Sequence, residues 1–520
     1  MTRTLPAPVA DGSDERFGPR LWGLLLVLAG NMLIDALEVS VAVVALPAIG
    51  TDLGQPPTVT QWAMTGFAAG FGGLLLFGAR VVTLLGRRPV YLAALLAFAA
   101  ASALSALAHD PWLLLATRLT KGFCAALTAP TGLAIITSTF PEGRPRSRAV
   151  SVYTLFGAGG FTAGLLLSGW LTETSWRWAF AFPAPVVLLL FTFGLRLIPG
   201  GDDESAPTGD AESAPKGRGA VLDMRLPPRG RDQPPRRRTR TTTARPFGIP
   251  SALTLLAALL ALVQGITQLP THHWSDPRAV GPLCAAALLL LAFRQIERRS
   301  PHPLLNTGPL RGNPTLIRSA LGAACLNGSY LGLLFVLTYQ TQTLAGWSPL
   351  HTALALLPAA APPALTALAS GRLVATFGAP RLIVAGAACA FAGALLQLRP
   401  HAWPLDYPGR MLPTLLLVGA AFVLSFAALN MQAMSRLTPA DRLTGSGLYQ
   451  TAVQLAAVLA VALVAALLAA HAPAPGAGPA AAAAACRPAL TLVAALGFLG
   501  LLVGLTGLIR TPPSSLHHGE

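Results

Sequence analysis

Charged residues are scarce in this 520-residue chain. They make up only 11% of the sequence, whereas a soluble domain contains about 25%, and 53% of the residues are hydrophobic. A chain this apolar cannot cover itself with polar surface when it folds. Most of it must therefore be surrounded by lipid, which excludes an ordinary water-soluble domain.

Groups that build disulfides, metal sites and catalytic centres are also scarce. The five cysteines are scattered without CxxC spacing and mostly lie in or beside apolar runs, as small hydrophobic side chains do. We expect no disulfide framework, no metal site and no cofactor. No G-x-x-x-x-G-K-[ST] loop is present, so the chain does not hydrolyse ATP itself. Because the loop histidines form no recognisable catalytic set, the sequence predicts that the protein is not an enzyme.

What the sequence does have is a series of long apolar runs between Leu21 and Ile509. A helix needs about 20 such residues to cross a bilayer, and backbone groups in lipid must be hydrogen-bonded within their own segment. The runs therefore predict an all-α polytopic membrane protein. Its fourteen predicted spans are 21–46, 58–82, 89–108, 112–137, 149–171, 177–197, 250–269, 280–294, 315–338, 349–370, 381–398, 411–433, 443–470 and 487–509.

Basic residues in alternate loops predict the orientation of these spans. Arginines precede span 1 and follow spans 2, 4, 8 and 12, whereas residues 47–57 and 339–348 contain no Arg or Lys. Positive loops stay in the cytoplasm, so both termini are predicted there, in a multi-pass protein of the plasma membrane. The same pattern accounts for the net charge of +16 without nucleic acid as a partner.

A long polar segment divides the chain. Residues 198–246 begin acidic, end in an arginine run and contain too much Pro, Gly and charge for a packed core. We expect a disordered cytoplasmic linker, whose arginines also suit anionic lipid headgroups. The other predicted segments are an N-terminal tail (1–20), an N-terminal six-helix half (21–197), two inserted helices (247–300), a C-terminal six-helix half (301–510) and a C-terminal tail (511–520).

Two similar turns occupy corresponding positions in the halves. Residues 78–91 read GARVVTLLGRRPVY, and residues 371–384 read GRLVATFGAPRLIV. Repeated halves are the usual construction of secondary transporters, with the substrate site between them.

An ordered set of motifs resembles the major facilitator superfamily, and within it the fourteen-span drug:proton antiporters. The motifs are EVSVAVVALP, which ends at Pro47; ARVVTLLGRR, with Gly86, Arg87 and Arg88; RLTKG in span 4; GGFTAGLLLSG, with Gly160, Gly164 and Gly169; WRW at 176–178; and GWSPL at 346–350. The resemblance implies a major facilitator fold of two six-helix halves plus two inserted helices. It also implies a central substrate cavity and export driven by protons.

Four positions depart from the family pattern. Thr83 stands where the family has an aspartate that helps to latch the cytoplasmic helix ends, and Leu165 stands where it has a proline. Val43 replaces an asparagine, and Lys121 replaces a glutamine. The resemblance therefore implies an altered latch, a less kinked span 5 and altered coupling.

Asp35 and Glu38 are the only acidic residues deep inside a predicted span. Their spacing puts both on one face of span 1, and Asn31 extends that face by one turn. Burying each charge costs roughly 2.5–3.5 kcal/mol on insertion scales, and two adjacent carboxylates should not both ionise in hydrocarbon. One of them is therefore expected to take up and release a proton, which is what proton coupling requires.

Span 4 carries two cations at a similar depth. At 1.5 Å per residue, Arg118 lies roughly 10 Å and Lys121 roughly 15 Å from the outer end of span 4, and Glu38 lies about 13 Å below Pro47. We predict a coupled cluster of Asp35, Glu38, Arg118 and Lys121, with Glu38 in the family's acidic position. The competing interpretation is a permanently charged salt bridge that fastens span 1 to span 4.

The substrate cavity is expected to use polar groups of spans 1, 9 and 12. Such groups on apolar helices suit a few hydrogen bonds in a largely apolar pocket, but each can equally join two helices. The predicted cavity residues are Asn31, Asn327, Tyr330, Tyr339, Gln342, Asn430 and Gln432. The pairs Gly66/Gly70 and Gly160/Gly164 are predicted to pack helices closely.

Together these features predict a proton-coupled secondary transporter that exports small lipophilic organic molecules, as in multidrug efflux and antibiotic resistance. Its expected partners are the small-molecule substrate, protons as the coupling ion and the lipid bilayer, and the chain is expected to be a monomer. Two alternatives stay open: a uniporter or importer of another solute, and a coupling-defective membrane sensor or scaffold.

Overall fold

The long elements of the described chain are all helices. The computed structural model describes residues 17–199, 248–270, 272, 276–301, 303–305, 308–310, 312–399, 405–438, 441–473 and 478–509. Thirteen of the helices in these ranges are long and apolar enough to cross a membrane, and one bent pair raises the number to fourteen. The prediction of an all-α polytopic protein is confirmed. The predicted linker, apart from its first two residues, lies outside the described residues, as does the C-terminal tail.

The helices are numbered by span. They are α1 (Pro19–Leu53), α2 (Pro57–Leu85), α3 (Arg87–Ala106), α4 (Pro111–Thr139), α5 (Arg144–Thr174), α6 (Trp176–Leu197), α7 (Ile249–Gln268), α8 (Pro277–Arg299), α9 (Pro314–Leu344), α10 (Pro349–Thr366, bent by 78° into Ser370–Phe377), α11 (Ala379–Leu398), α12 (Tyr407–Met434), α13 (Arg442–Ala470) and α14 (Ala480–Ile509). Proline occupies the first turn of most of them, because its fixed φ and missing N–H suit that position. We call the side on which α1 begins the inner side and the opposite side the outer side.

Helices α1 and α9 are among those that extend beyond their predicted spans. Helix α1 passes through Pro47 and ends at Leu53, so Pro47 does not mark its outer end. A proline is tolerated inside a transmembrane helix because neighbouring groups compensate for the lost backbone hydrogen bond. Helix α9 continues beyond Thr338 in a π-helical turn, Tyr339–Leu344.

The repeated turn seen in the sequence is also repeated in the backbone. Gly86 joins α2 to α3 with a φ of 88°, and Gly378 joins the end of α10 to α11 with a φ of 79°. Glycine is the residue that adopts this conformation without a steric penalty. Equivalent hinges therefore follow the second helix of each half.

The helices form two bundles and a peripheral pair. The bundles are α1–α6 and α9–α14, and the pair α7–α8 attaches where α2 meets α13, because α7 contacts both of those helices. The bundles also meet along α5 and α10. This arrangement is the one predicted, with two six-helix halves and two inserted helices.

The hydrophobic cores reveal where the bundles are joined. A single core on the outer side includes Val44 of the first bundle together with Phe335 and Leu356 of the second. On the inner side each bundle has a separate core, one around Tyr91 and the other around Tyr449. The bundles therefore share one core on the outer side and have separate cores on the inner side.

Candidate functional site

Close contact between α2 and α4 positions the cations of α4. A Cβ atom on Gly70 would collide with the backbone of Leu119, and one on Gly122 would collide with the backbone of Phe67. Only glycine lets the two backbones approach so closely. At this separation Arg118 Nε donates a hydrogen bond of 2.5 Å to the carbonyl oxygen of Ala63 on α2.

A second glycine contact sets the rotation of α1. A Cβ atom on Gly160 would lie 2.8 Å from Ala36 Cβ, and one on Gly164 would lie 2.7 Å from the carbonyl oxygen of Leu37. This face of α1 packs on α5. Asp35 and Glu38 are consequently turned towards α4.

Glu38, Arg118 and Lys121 form an ion cluster that is fully buried. Arg118 Nη1 pairs with Glu38 Oε2, and Arg118 Nη2 donates a 2.9 Å hydrogen bond to the backbone oxygen of Glu38. Lys121 Nζ lies 2.5 Å from Glu38 Oε1, and all three side chains are 0% exposed. Aromatic rings lie 5.0–5.5 Å from the two cations: Phe67, Phe98 and Phe180.

One carboxylate in this cluster balances two cations. A buried charge is tolerated only when it is paired, so each cation favours the ionised form of Glu38. Loss of the Glu38 charge would leave two cations in hydrocarbon without a counter-ion. The geometry therefore matches the interpretation of a permanent fastening between α1 and α4 better than it matches a carboxyl group that gains and loses a proton.

Asp35 lies apart from this cluster and has neutral partners. Asn31 Nδ2 and Thr128 Oγ1 each donate a 3.0 Å hydrogen bond to Asp35 Oδ2. Its Oδ1 atom is buried without a hydrogen-bond partner among the described residues, and within them Asp35 forms no ion pair. The predicted four-residue cluster is thus divided into a three-residue ion cluster and a separate acid.

Most of the predicted cavity residues join helices. Asn31 lies beside Asp35, and the other hydrogen bonds run from Gln342 to Val44 O (3.0 Å), from Tyr330 to Ala359 O (3.4 Å), from Asn327 to Val453 O (3.3 Å) and from Ser319 to Gln432 Oε1 (3.1 Å). Tyr339 packs against the shared outer core, and Asn430 is exposed on α12. Asn430 is therefore the most exposed member of the set.

Aromatic residues that the sequence analysis did not select lie where the bundles meet. The Tyr330 ring is 5.7 Å from that of Phe161 on α5 and 4.9 Å from that of Phe422 on α12, which in turn stacks at 4.9 Å on Phe426. Phe426 is exposed. The i, i+4 spacing of Phe422 and Phe426 could have indicated in the sequence that the two rings lie on one face of α12. Thr128 was also missed, because a hydroxyl on a helix carries no signal of its own.

The predicted latch region has a different partner from the one the family pattern implies. Thr83 Oγ1 donates to the carbonyl oxygen of Arg80, and Arg80 Nη2 donates a 3.0 Å hydrogen bond to Pro303 O, in the segment between α8 and α9. Arg88, in the first turn of α3 beside Arg87, donates to Leu195 O of α6. An arginine and a backbone carbonyl therefore join this turn to the segment between α8 and α9.

Polar contacts reinforce the outer junction of the bundles. Gln342 of α9 donates to Val44 of α1, and the backbone N–H of Leu350 on α10 donates to Glu173 Oε1 at the end of α5, at 2.8 Å. A Cβ atom on Gly169 of α5 would collide with Ala353 of α10. Close packing and polar contacts thus both join the bundles on the outer side.

The sequence was compared with known protein families. A family model described as the Major Facilitator Superfamily matches residues 28–461. The chain belongs to this superfamily. It is accordingly a multi-pass membrane transporter and not an enzyme, as the sequence predicted.

Curated relatives include export and resistance proteins. The puromycin resistance protein pur8 of Streptomyces alboniger is 32% identical over 85% of this chain and 80% of its own length. The cephamycin export protein CmcT of Amycolatopsis lactamdurans is 29% identical over 85% and 84%. A solved structure of a bacterial homologue of the human drug peptide transporters PepT1 and PepT2 superposes with a TM-score of 0.58 at 13% identity, covering 94% of this chain and 97% of that one. This last likeness concerns the fold alone.

Proposed function

We propose that this protein exports small lipophilic organic molecules in exchange for protons, and that Asp35 is the group that carries the proton. The observation that carries the proposal is the contrast between two acids on one helix face. Glu38 is paired with two cations, whereas Asp35 has neutral partners and one carboxylate oxygen without any among the described residues. Only Asp35 can change its charge without leaving a buried cation uncompensated.

The distribution of acids along the chain supports placing the proton on α1. Between residues 301 and 510 the acidic residues are Asp406 and Asp441, and both lie immediately before the first turn of a helix. The second bundle therefore offers no carboxylate deep in the membrane. Asp35 is 6% exposed and Glu38 0%.

The chemistry of the cargo is inferred from the junction of the bundles. The aromatic row of Phe161, Tyr330, Phe422 and Phe426 offers a flat apolar surface. Asn430, one helical turn after Phe426 on α12, offers one polar group. Such a surface suits a lipophilic molecule with few hydrogen-bonding groups. The relatives named for puromycin resistance and cephamycin export support the export of small organic molecules. We further propose a monomer with both termini in the cytoplasm.

Transport into inside-out membrane vesicles tests this proposal. With an acidic lumen, wild-type vesicles should accumulate some members of a panel of lipophilic cations and anions, tested together with puromycin and a cephamycin. Protons should leave as the cargo enters. Asp35→Asn should abolish accumulation driven by the gradient and retain exchange of cargo between the two sides without a gradient. Glu142→Gln, a change of an exposed loop carboxylate, is the matched control and should behave as the wild type. Undiminished, gradient-driven accumulation by Asp35→Asn between pH 6 and 8 would show that Asp35 carries no coupling proton.

A further inference from the structure

A cavity on the inner side of the second bundle has no part in the proposed transport cycle. It has a volume of about 360 Å³ and opens between the inner ends of α9, α11, α12 and α14. The side chains that give it its polar character are Thr315, Arg318, Gln432, Ser435 and Arg436. No acidic residue is among those that line it.

The two arginines are available for a ligand. Arg318 is half-buried one turn into α9, and Arg436 is exposed just beyond the end of α12. Neither guanidinium forms an ion pair with any described residue, and no hydrogen bond to either is present within the same residues. Two unpaired guanidinium groups at one cavity are an arrangement that favours an anion with several oxygen acceptors.

The end of a helix also favours an anion at this cavity. The first turn of α11, at Ala379 and Pro380, lines the cavity and directs the positive end of a 20-residue helix towards it. The charged end of the helix and the two arginines therefore act on the same space.

We propose that this cavity binds the phosphate group of a phosphate ester, and that Arg318 and Arg436 hold it. Basic pockets between transmembrane helices at the cytoplasmic surface are suited to anionic lipid headgroups, and each basic residue near that surface is worth enough to strengthen binding several-fold. An anionic phospholipid of the inner leaflet and a soluble phosphate ester share this chemistry. The site is separate from Asp35 and does not depend on the proposed proton coupling.

Binding to the purified, delipidated full chain tests the site. Phosphatidylglycerol, phosphatidylcholine with the same acyl chains, and sn-glycerol 3-phosphate are added separately, and bound ligand is counted by native mass spectrometry alongside the melting temperature. We expect phosphatidylglycerol to bind and to raise the melting temperature more than phosphatidylcholine does. The variant Arg318→Gln/Arg436→Gln should bind it roughly tenfold more weakly or worse.

A charge-matched control separates this site from general attraction to a basic surface. Arg20→Gln/Arg196→Gln removes two exposed arginines from the inner ends of α1 and α6 and should bind phosphatidylglycerol as the wild type does. If the wild type and this control variant also bind sn-glycerol 3-phosphate, the site is supported and soluble esters are identified as a source of its ligand. Equal losses in the two double variants, or none in Arg318→Gln/Arg436→Gln, would overturn the proposal.

Discussion

Lys121 Nζ lies 2.5 Å from Glu38 Oε1, and both side chains are completely buried. Because Arg118 already pairs with the other carboxylate oxygen, the lysine is a second cation on one acid. It stands where the resembled family has a glutamine. The ion cluster therefore carries an excess positive charge in the membrane, and its stability depends on Glu38.

Removal of the Glu38 charge is predicted to destabilise the protein strongly. Glu38→Gln leaves two buried cations without a counter-ion, and breaking a buried pair in this way typically costs about 3–5 kcal/mol. Lys121→Gln keeps the pair between Arg118 and Glu38 and should cost much less. Thermal unfolding of the purified variants measures both, and Glu38→Gln/Lys121→Gln should be more stable than Glu38→Gln alone. Equal melting temperatures for the two single variants would contradict the assignment of an excess cation.

Replacement of Asp35 is predicted to affect function without weakening the fold. Asp35→Asn keeps a side chain of the same size beside Asn31 and Thr128 and removes only the ability to ionise. The melting temperature should stay within a few degrees of the wild type, since most substitutions that preserve packing have small effects. Cargo affinity, which should depend on pH in the wild type, should become independent of pH in the variant. A pH dependence that persists in Asp35→Asn would place the titrating group elsewhere.

Two neighbouring glycines of α5 should respond oppositely to alanine. A Cβ at Gly160 would lie 2.8 Å from Ala36 Cβ, so Gly160→Ala must displace α1 and should lower stability by about 1–3 kcal/mol. A Cβ at Gly159 meets nothing within 4 Å, and Gly159→Ala should be neutral or stabilising by up to about 1 kcal/mol. The two melting temperatures give the comparison. A similar result for both variants would mean that α1 and α5 are not held at the distance described.

Weakening the outer junction should favour the outward-facing state. Glu173→Ala removes the acceptor of the Leu350 N–H, and Gln342→Ala removes the donor to Val44 O. A hydrogen bond contributes about 1 kcal/mol, so each change should shift the ratio of the two states by roughly fivefold. Spin labels attached to Thr51→Cys and Ala345→Cys report the distance between the outer ends of α1 and α9. The exposed Cys284 is replaced by serine so that it takes no label. Glu142→Ala is the control. An unaltered distance distribution in Glu173→Ala/Gln342→Ala would show that these two hydrogen bonds do not hold the outer ends together.

Much of the fold followed from local properties of the sequence. The length and spacing of the apolar runs predicted the fourteen spans, because a helix that crosses lipid must be about 20 residues long and apolar over most of its surface. The glycine pairs on α5 predicted a close helix contact, and the structure places Leu33 and Leu37 of α1 against them. The helix ends were less predictable, and α1 continues through Pro47 because neighbouring helices can compensate for a proline that would end an isolated helix.

The sequence by itself determined that two acids and two cations lie deep in the membrane on α1 and α4. Only the tertiary structure decided how they divide. Asp35 and Glu38 are separated by about 300° of helical rotation, or 60° in the opposite sense, so both face α4 but meet different residues of it. The glycine contacts of α4 with α2 and of α5 with α1 set the rotation and height of each helix. As a result Glu38 contacts both cations and Asp35 contacts Thr128. The partner of a buried charge depends on how the helices pack against each other, and the spacing of residues along one helix does not determine that packing.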